Sequence, residues 1–181
     1  MVRTLLSLPV LFALVIMFAA PARALELDPE NTLYLKLKYG TVVIRLRPDL
    51  APKHVARIKK LTRAGFYNGH KFHRVIAGFM AQTGDPTGTG MGGSKEPDLP
   101  AEFNHMPFVR GTVGMARSQS PNSANSQFFI VFADARFLDR KYTAWGEVVK
   151  GMEFVDKIKK GEPPANPDRI ISMKIAADMK K

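Results

Sequence analysis

FHRVIAGFMAQTGD, residues 72–85, and SQFFIVFADARFLD, residues 126–139, decide the reading of this chain. The first block carries one cation, Arg74, five residues before the Phe79-Met80 pair and eight before Gln82, with Gly78 and Gly84 bounding the apolar step. That mixture does not describe an ordinary core strand. If residues 80–83 are extended, side chains two apart share a face, so Met80 and Gln82 point the same way. The same parity pairs Gln127 with Phe129. Two strands that each present an apolar group and a neutral amide make a shallow apolar floor edged by hydrogen-bonding groups. Such a surface suits a neutral peptide better than a phosphate or a sugar acid.

The rest of the chain supplies a scaffold for these strands. Alternating runs at 32–37 and 41–46, separated by Lys38-Tyr39-Gly40, read as a hairpin. A helix follows, with Pro52 in its first turn, Val55, Ile58 and Leu61 at helical spacing, Gly65 beyond its end, and its lysines and arginines facing water. Further short strands are expected at 71–75, 80–83, 112–116, 127–131 and 144–149, a second helix at 152–159, and a final strand at 170–177 that returns to pair with the first. Many short strands with only two helices predict a mainly β fold, a closed eight-stranded antiparallel barrel capped by two α-helices. The glycine- and proline-rich stretch 86–106 reads as a surface loop bordering the site.

At 181 residues and 45% hydrophobic composition, the chain can bury one sizeable core, and no linker divides a second domain from the first. The N-terminus is separate. Met-Val-Arg supplies a positive start, residues 5–20 are mostly apolar, and Ala22-Arg23-Ala24 is a small-x-small cleavage site. Residues 1–24 are therefore expected to be a cleavable signal peptide and 25–181 the mature domain, with no stable membrane insertion after cleavage. The rival is an uncleaved anchor, since the apolar run falls a little short of the roughly 20 residues that span a bilayer. Export points to a bacterial periplasm, although a eukaryotic secretory lumen fits these residues too. The absence of cysteine means that no disulfide contributes. The formal charge of +11 is scattered rather than gathered into a basic-aromatic stripe, which argues against specific nucleic-acid binding.

The two blocks, together with APKHVARIKKL (51–61), GFYNGHKFHRVI (65–76), GDPTGTG (84–90), GTVGMARSQSPNSANSQFFI (111–130) and YTAWGEVVKGMEFVDKI (142–158), resemble the cyclophilins, the cyclosporin-binding family of peptidyl-prolyl cis-trans isomerases. The resemblance runs from about Thr32 to Met179. It implies eight strands with two capping helices, and an isomerase of Xaa-Pro bonds in unfolded or folding proteins that needs no cofactor, no metal and no covalent intermediate. Position by position, Phe79, Met80, Phe129 and Leu138 match the family's proline pocket. Gln82 matches the amide that holds Arg74 and the substrate backbone. Gln127, Ala116 and Arg117 match the adjoining groove, and Gly88 a glycine at its border. Arg117 stands where asparagine is common, a position whose family role runs mainly through the main chain. Phe137 replaces the tryptophan of cyclosporin-sensitive members, so weak cyclosporin binding is expected. Tyr142 replaces a common histidine, so a changed substrate preference is expected rather than lost catalysis.

Arg74 is the candidate donor to the prolyl nitrogen, and arginine keeps its proton at any ordinary pH. The expected catalytic set is thus Arg74, Gln82 and Phe79. A rival reading makes the same groove a binding module for proline-containing segments, a chaperone or adaptor with incidental catalysis; a donor placed beside Phe79, Gln82 and Phe129 favours the enzyme. His70 and His73, three apart, have no further ligand set at metal spacing and read as structural or surface residues. Residues 88–95, GTGMGGSK, lack the Gly-Lys-Ser/Thr order of a phosphate loop. The serines around Pro121 lack a base and read as turn formers. With no heptad or amphipathic seam, the expected state is a monomer.

Overall fold

Alternation in the first hairpin sets the inside of the molecule. In the computed structural model, which describes residues 27–179, β1 (Thr32–Leu37) and β2 (Gly40–Leu46) pair antiparallel with Thr32 opposite Arg45 and Leu37 opposite Gly40. Leu33, Leu35 and Leu37 with Val42, Ile44 and Leu46 fall on the buried face. Six more strands extend this pair: β3 (Arg74–Ile76), β4 (Met80–Thr83), β5 (Thr112–Met115), β6 (Phe128–Val131), β7 (Ala144–Lys150) and β8 (Ser172–Ile175). All pairings are antiparallel, in the order β3-β4-β6-β5-β7-β2-β1-β8. The fold is therefore mainly β, one eight-stranded sheet with two α-helices. Among the described residues β3 and β8 share no ladder; single bridges, Lys71 with Arg169 and Val75 with Gly161, link the segments beside them.

Helix α1 (Pro52–Arg63) begins with proline at its first turn, where a missing N–H costs nothing, and buries Val55, Ile58 and Leu61 against the sheet. Its residue before the first turn, Ala51, has no side chain that can cap. The cap comes instead from Glu102, whose carboxylate accepts from the backbone N–H of Lys53 and of His54 at 3.0 Å each and meets His54 Nδ1 at 2.7 Å. The expectation that every helix cation faces water needs correction at Arg57. It is 7% exposed and donates to the carbonyls of Pro97 (2.7 Å) and Asn125 (3.2 Å), tying the helix to the two loops that border the site.

Helix α2 is also shorter than expected, Met152–Val155. The Lys159 N–H is taken by the Asp168 carboxylate at 2.9 Å, so residues 156–159 turn away rather than continue the helix. Likewise Phe72 bonds to the Asp168 carbonyl, which pulls residues 71–73 out of the ladder and leaves β3 to begin at Arg74. The last strand stops at Ile175 and gives way to a 3-10 turn over Ala176–Met179. The leader expected at residues 1–24 lies outside the described residues. No described helix is long and apolar enough to cross a membrane.

Strand parity divides the apolar residues into two clusters. Ala81, Phe128 and Ile130 join the large interior core with Trp145, Tyr67 and Phe72. Their neighbours Met80, Phe129 and Val131 join a second cluster with Phe108, Ala135, Leu138 and Ala144 on the opposite face of the sheet. That second cluster is the foundation of the site.

Candidate active site

Register alone sets out the site's central row. Arg74 on β3 is opposite Gln82 on β4, Gln82 is opposite Phe129 on β6, and Phe129 is opposite Gly114 on β5. A cation, an amide and an aromatic ring therefore sit side by side across three strands, with Gln82 on the face of Met80 and Phe129 on that of Gln127 as strand parity gives. Gly114 completes the row by being small. A Cβ there would lie 2.5 Å from Phe108 Cε1 and 2.7 Å from Phe129 Cζ, so only glycine lets these two rings stack, at 5.8 Å between centroids. The strand is bulged at Val113/Gly114, which bends it beneath the site.

Above this row lies a cavity of about 310 Å³ lined by Arg74, Phe79, Met80, Gln82, Ala116, Arg117, Phe129, Phe137, Leu138 and Tyr142. Met80, Phe129 and Leu138 are buried. Tyr142 meets Phe129 edge-on at 5.9 Å, and Phe79 lies 5.3 Å from Phe137, which is 62% exposed at the rim. The structure thus brings together around one cavity every residue of the expected set except Gln127 and Gly88. Gln127 lines an adjoining cavity of about 490 Å³, which shares Gln82, Ala116 and Arg117 with the first and is otherwise walled by residues 90–94 and Asp98, Ser118, Ser123 and Asn125. Gly88 lines neither; it lies against the Lys71 side chain, and the loop's contribution to the groove begins at Gly90.

Hydrogen-bonding capacity orders the polar groups. Arg74 has only donors, so Gln82 must turn its oxygen toward the guanidinium; Nη1 donates to Gln82 Oε1 at 3.4 Å. The amide nitrogen of Gln82 then donates to Gln127 Oε1 (2.9 Å), and the nitrogen of Gln127 ends the chain on the carbonyls of Gly90 (2.9 Å) and Gly92 (2.8 Å). The loop that supplies those carbonyls is shaped by Asp85, 1% exposed. Its carboxylate accepts from the backbone N–H groups of Thr87 (2.8 Å), Thr89 (3.0 Å) and Gly90 (2.6 Å). Burial by itself would raise the Asp85 carboxyl; the bonds from Thr87, Gly92 and Gly90 outweigh it and hold the group well below the usual carboxylate range.

On the far wall Arg117 spends its donors on the main chain. Nε and Nη2 donate to the Lys141 carbonyl (3.2 and 3.0 Å) and Nη1 to those of Ser118 (2.9 Å) and Gln119 (3.0 Å), while the guanidinium stacks 4.5 Å from the Tyr142 ring centroid. It fastens the groove backbone to the rim of the first cavity.

Sequence reasoning missed three contributors. Glu162 bonds Arg74 Nε at 2.8 Å from the loop before β8, and no local pattern marks it. Gly114 had a signal, a glycine inside a strand. Asp85 had one too, since Asp-Pro-Thr-Gly is turn chemistry that satisfies nearby N–H groups.

A cation beside an apolar cavity, with an amide relay along one edge, equips the site to bind a neutral peptide and stabilise charge redistribution within it. Comparison with known proteins identifies the family. The family described as cyclophilin type peptidyl-prolyl cis-trans isomerase/CLD matches residues 32–175. A probable peptidyl-prolyl cis-trans isomerase of Brucella suis is 62% identical over 169 residues, 84% of this chain and 86% of the relative. Among solved structures, the cyclophilin AquaCyp293 of Hirschia baltica superposes with a TM-score of 0.79 at 33% identity, covering 84% of this chain and 76% of its own. A Cryptosporidium parvum cyclophilin-type isomerase, solved in the presence of the dipeptide Ala-Pro, gives 0.74 at 28% identity over 80% of this chain and 98% of its own. The match across residues 32–175, the 62% identical relative and the shared fold are decisive: this chain belongs to the cyclophilin-type peptidyl-prolyl cis-trans isomerases.

Proposed function

We propose that this isomerase turns Xaa-Pro bonds without covalent chemistry, Arg74 stabilising the twisted amide while the apolar cavity holds the proline ring. Rotation is slow because amide resonance must be lost, a barrier of roughly 18 to 20 kcal/mol. As the bond twists, the prolyl nitrogen regains its lone pair, and a positioned N–H donor favours that state over either planar one. Taking the step from about 100 s to about a millisecond needs roughly 7 kcal/mol. The observation that carries this reading is the row Arg74, Gln82, Phe129 across three paired strands, with the cavity above it. The dipeptide present with the Cryptosporidium relative supports proline-containing peptides as ligands here.

The test compares wild type with Arg74→Ala in cis-to-trans interconversion of a short Xaa-Pro peptide, with both proteins shown to be folded. Loss of one preorganised donor is expected to lower kcat/KM about a hundredfold or more. Turnover that survives the change while peptide affinity collapses favours the binding-module reading instead.

Around this core the proposal has further parts. The chain acts as a monomer on exported proteins during folding, after removal of residues 1–24. The two single bridges beside β3 and β8 act as the closing seam of a barrel. Phe137, whose ring lacks the N–H of an indole, makes cyclosporin a weak ligand. Export is checked by mass spectrometry of the protein from the periplasmic fraction. A first residue of Leu25 is expected; an intact Met1 in the membrane fraction overturns it.

A further inference from the structure

Arg74 is gripped from two sides by groups of different origin. Gln82 accepts from Nη1 across the β3–β4 pair, and Glu162, 88 residues away in sequence, accepts from Nε at 2.8 Å. Of the guanidinium nitrogens only Nη2 has no acceptor among the described residues.

The loop that delivers Glu162 is not free to wander. Gly161 and Val75 exchange both backbone hydrogen bonds, each at 2.9 Å, so the loop is clipped to the residue that follows Arg74. Gly161 sits at φ +145, where a Cβ would lie 2.6 Å from Pro164 Cα, and the path therefore requires glycine. Pro163 and Pro164 then restrict φ on the other side of Glu162. A typical surface pair joins two flexible side chains whose ordering cancels much of the gain. Here the backbone of the acidic partner is restrained before the pair forms.

We propose that Glu162 is a positioning residue for the isomerase reaction, fixing the plane of the Arg74 guanidinium so that Nη2 is left for the prolyl amide. This rests on the reading of Arg74 as the donor. A planar group bonded at both Nε and Nη1 cannot turn about its long axis, and the direction of the remaining nitrogen is then set. The same carboxylate also opposes the cation's charge, and the two effects differ in sign. The side chains are 41% and 51% exposed, so water screens the charge effect, whereas orientation is not screened. Positioning wins.

The experiment measures kcat and KM of the full chain toward a short Xaa-Pro peptide for Glu162→Ala, Glu162→Gln and Arg74→Ala, with melting midpoints and the NMR signal of the Arg74 Nε–H. Glu162→Ala is expected to lower kcat roughly fivefold, the factor for about 1 kcal/mol of lost ordering, with KM and the midpoint unchanged. Glu162→Gln, which keeps an acceptor without the charge, restores most of the rate. The Nε–H signal shifts and broadens in Glu162→Ala and recovers in Glu162→Gln. A rate that is unchanged or raised in Glu162→Ala, or that falls equally in both variants, overturns the assignment while leaving Arg74 as donor. Full turnover in Arg74→Ala removes both readings together.

Discussion

The two halves of the groove share Gln82, Ala116 and Arg117 yet are made of different material. The floor of the cavity over Arg74 is built from side chains on β3, β4 and β6, set by strand register, and its rim from Phe79, the turn Arg136–Leu138, Tyr142 and the shared Ala116 and Arg117. The adjoining cavity is walled by loop backbone and small polar groups, and its shape depends on a few side-chain acceptors, Asp85 and Asn125 among them. The Asp85 carboxylate gathers the N–H groups of Thr87, Thr89 and Gly90, and Asn125 holds both the N–H and the hydroxyl of Ser94 while donating to the Glu96 carbonyl. A sheet resists deformation through many cooperating bonds; a loop gathered on a few side chains has fewer points of support. The half over Arg74, the reactive half on the proposed mechanism, should then be the stiffer and the loop half the more adjustable.

The contrast can be broken in three ways. The largest effect belongs to Arg74→Ala, whose loss of about a hundredfold in kcat/KM should be the same factor for a dipeptide and for a peptide long enough to fill both cavities. A loss that grows with peptide length would show that the donor and the loop half are coupled. Next comes Asp85→Ala, which strands several N–H donors at a cost of about 1 to 3 kcal/mol. Its KM should rise roughly tenfold for the long peptide and less than about twofold for the short one, the former corresponding to about 1.4 kcal/mol. Equal losses would merge the halves into one unit.

Acid should give the smallest effect, and again on one half. Burial pushes the imidazoles of His54, His70 and His73 down, against the raising influence of Glu102 on His54 and of Asp85 on the other two. The unfolded chain takes up protons near pH 6.5 while the folded chain resists them, so stability is full above that pH and declines as pH falls below it. Asp85 adds to the decline only below about pH 4, where the unfolded carboxyl protonates and the folded one does not. His73 is buried with its ring 3.6 Å from where a Cβ on Gly90 would lie, under the loop half. Between pH 7.5 and 5.5 the melting midpoint should fall by on the order of a few degrees while kcat/KM for a dipeptide stays flat. A midpoint that holds steady, or a dipeptide rate that follows it down, would count against the division.

Much of the reactive half was legible without coordinates. The two-residue parity of 80–83 and 127–129 put Met80 with Gln82 and Gln127 with Phe129, and antiparallel register turned that parity into the observed row. The hairpin and the buried stripe of α1 were legible for the same reason, since side-chain direction in a regular element is a local property. What escaped was contributed by residues far apart in the chain. Arg57 is buried because carbonyls 40 and 68 residues away accept its protons, α1 is capped by a carboxylate 48 residues from His54, and Arg74 is held by Glu162 at a separation of 88. Periodicity records which way a side chain points and says nothing of what another segment brings to meet it. The family and the candidate row of side chains were thus determined by the sequence itself, while the partners that hold Arg74 were decided by the tertiary structure, where charged groups find their partners through space rather than along the chain.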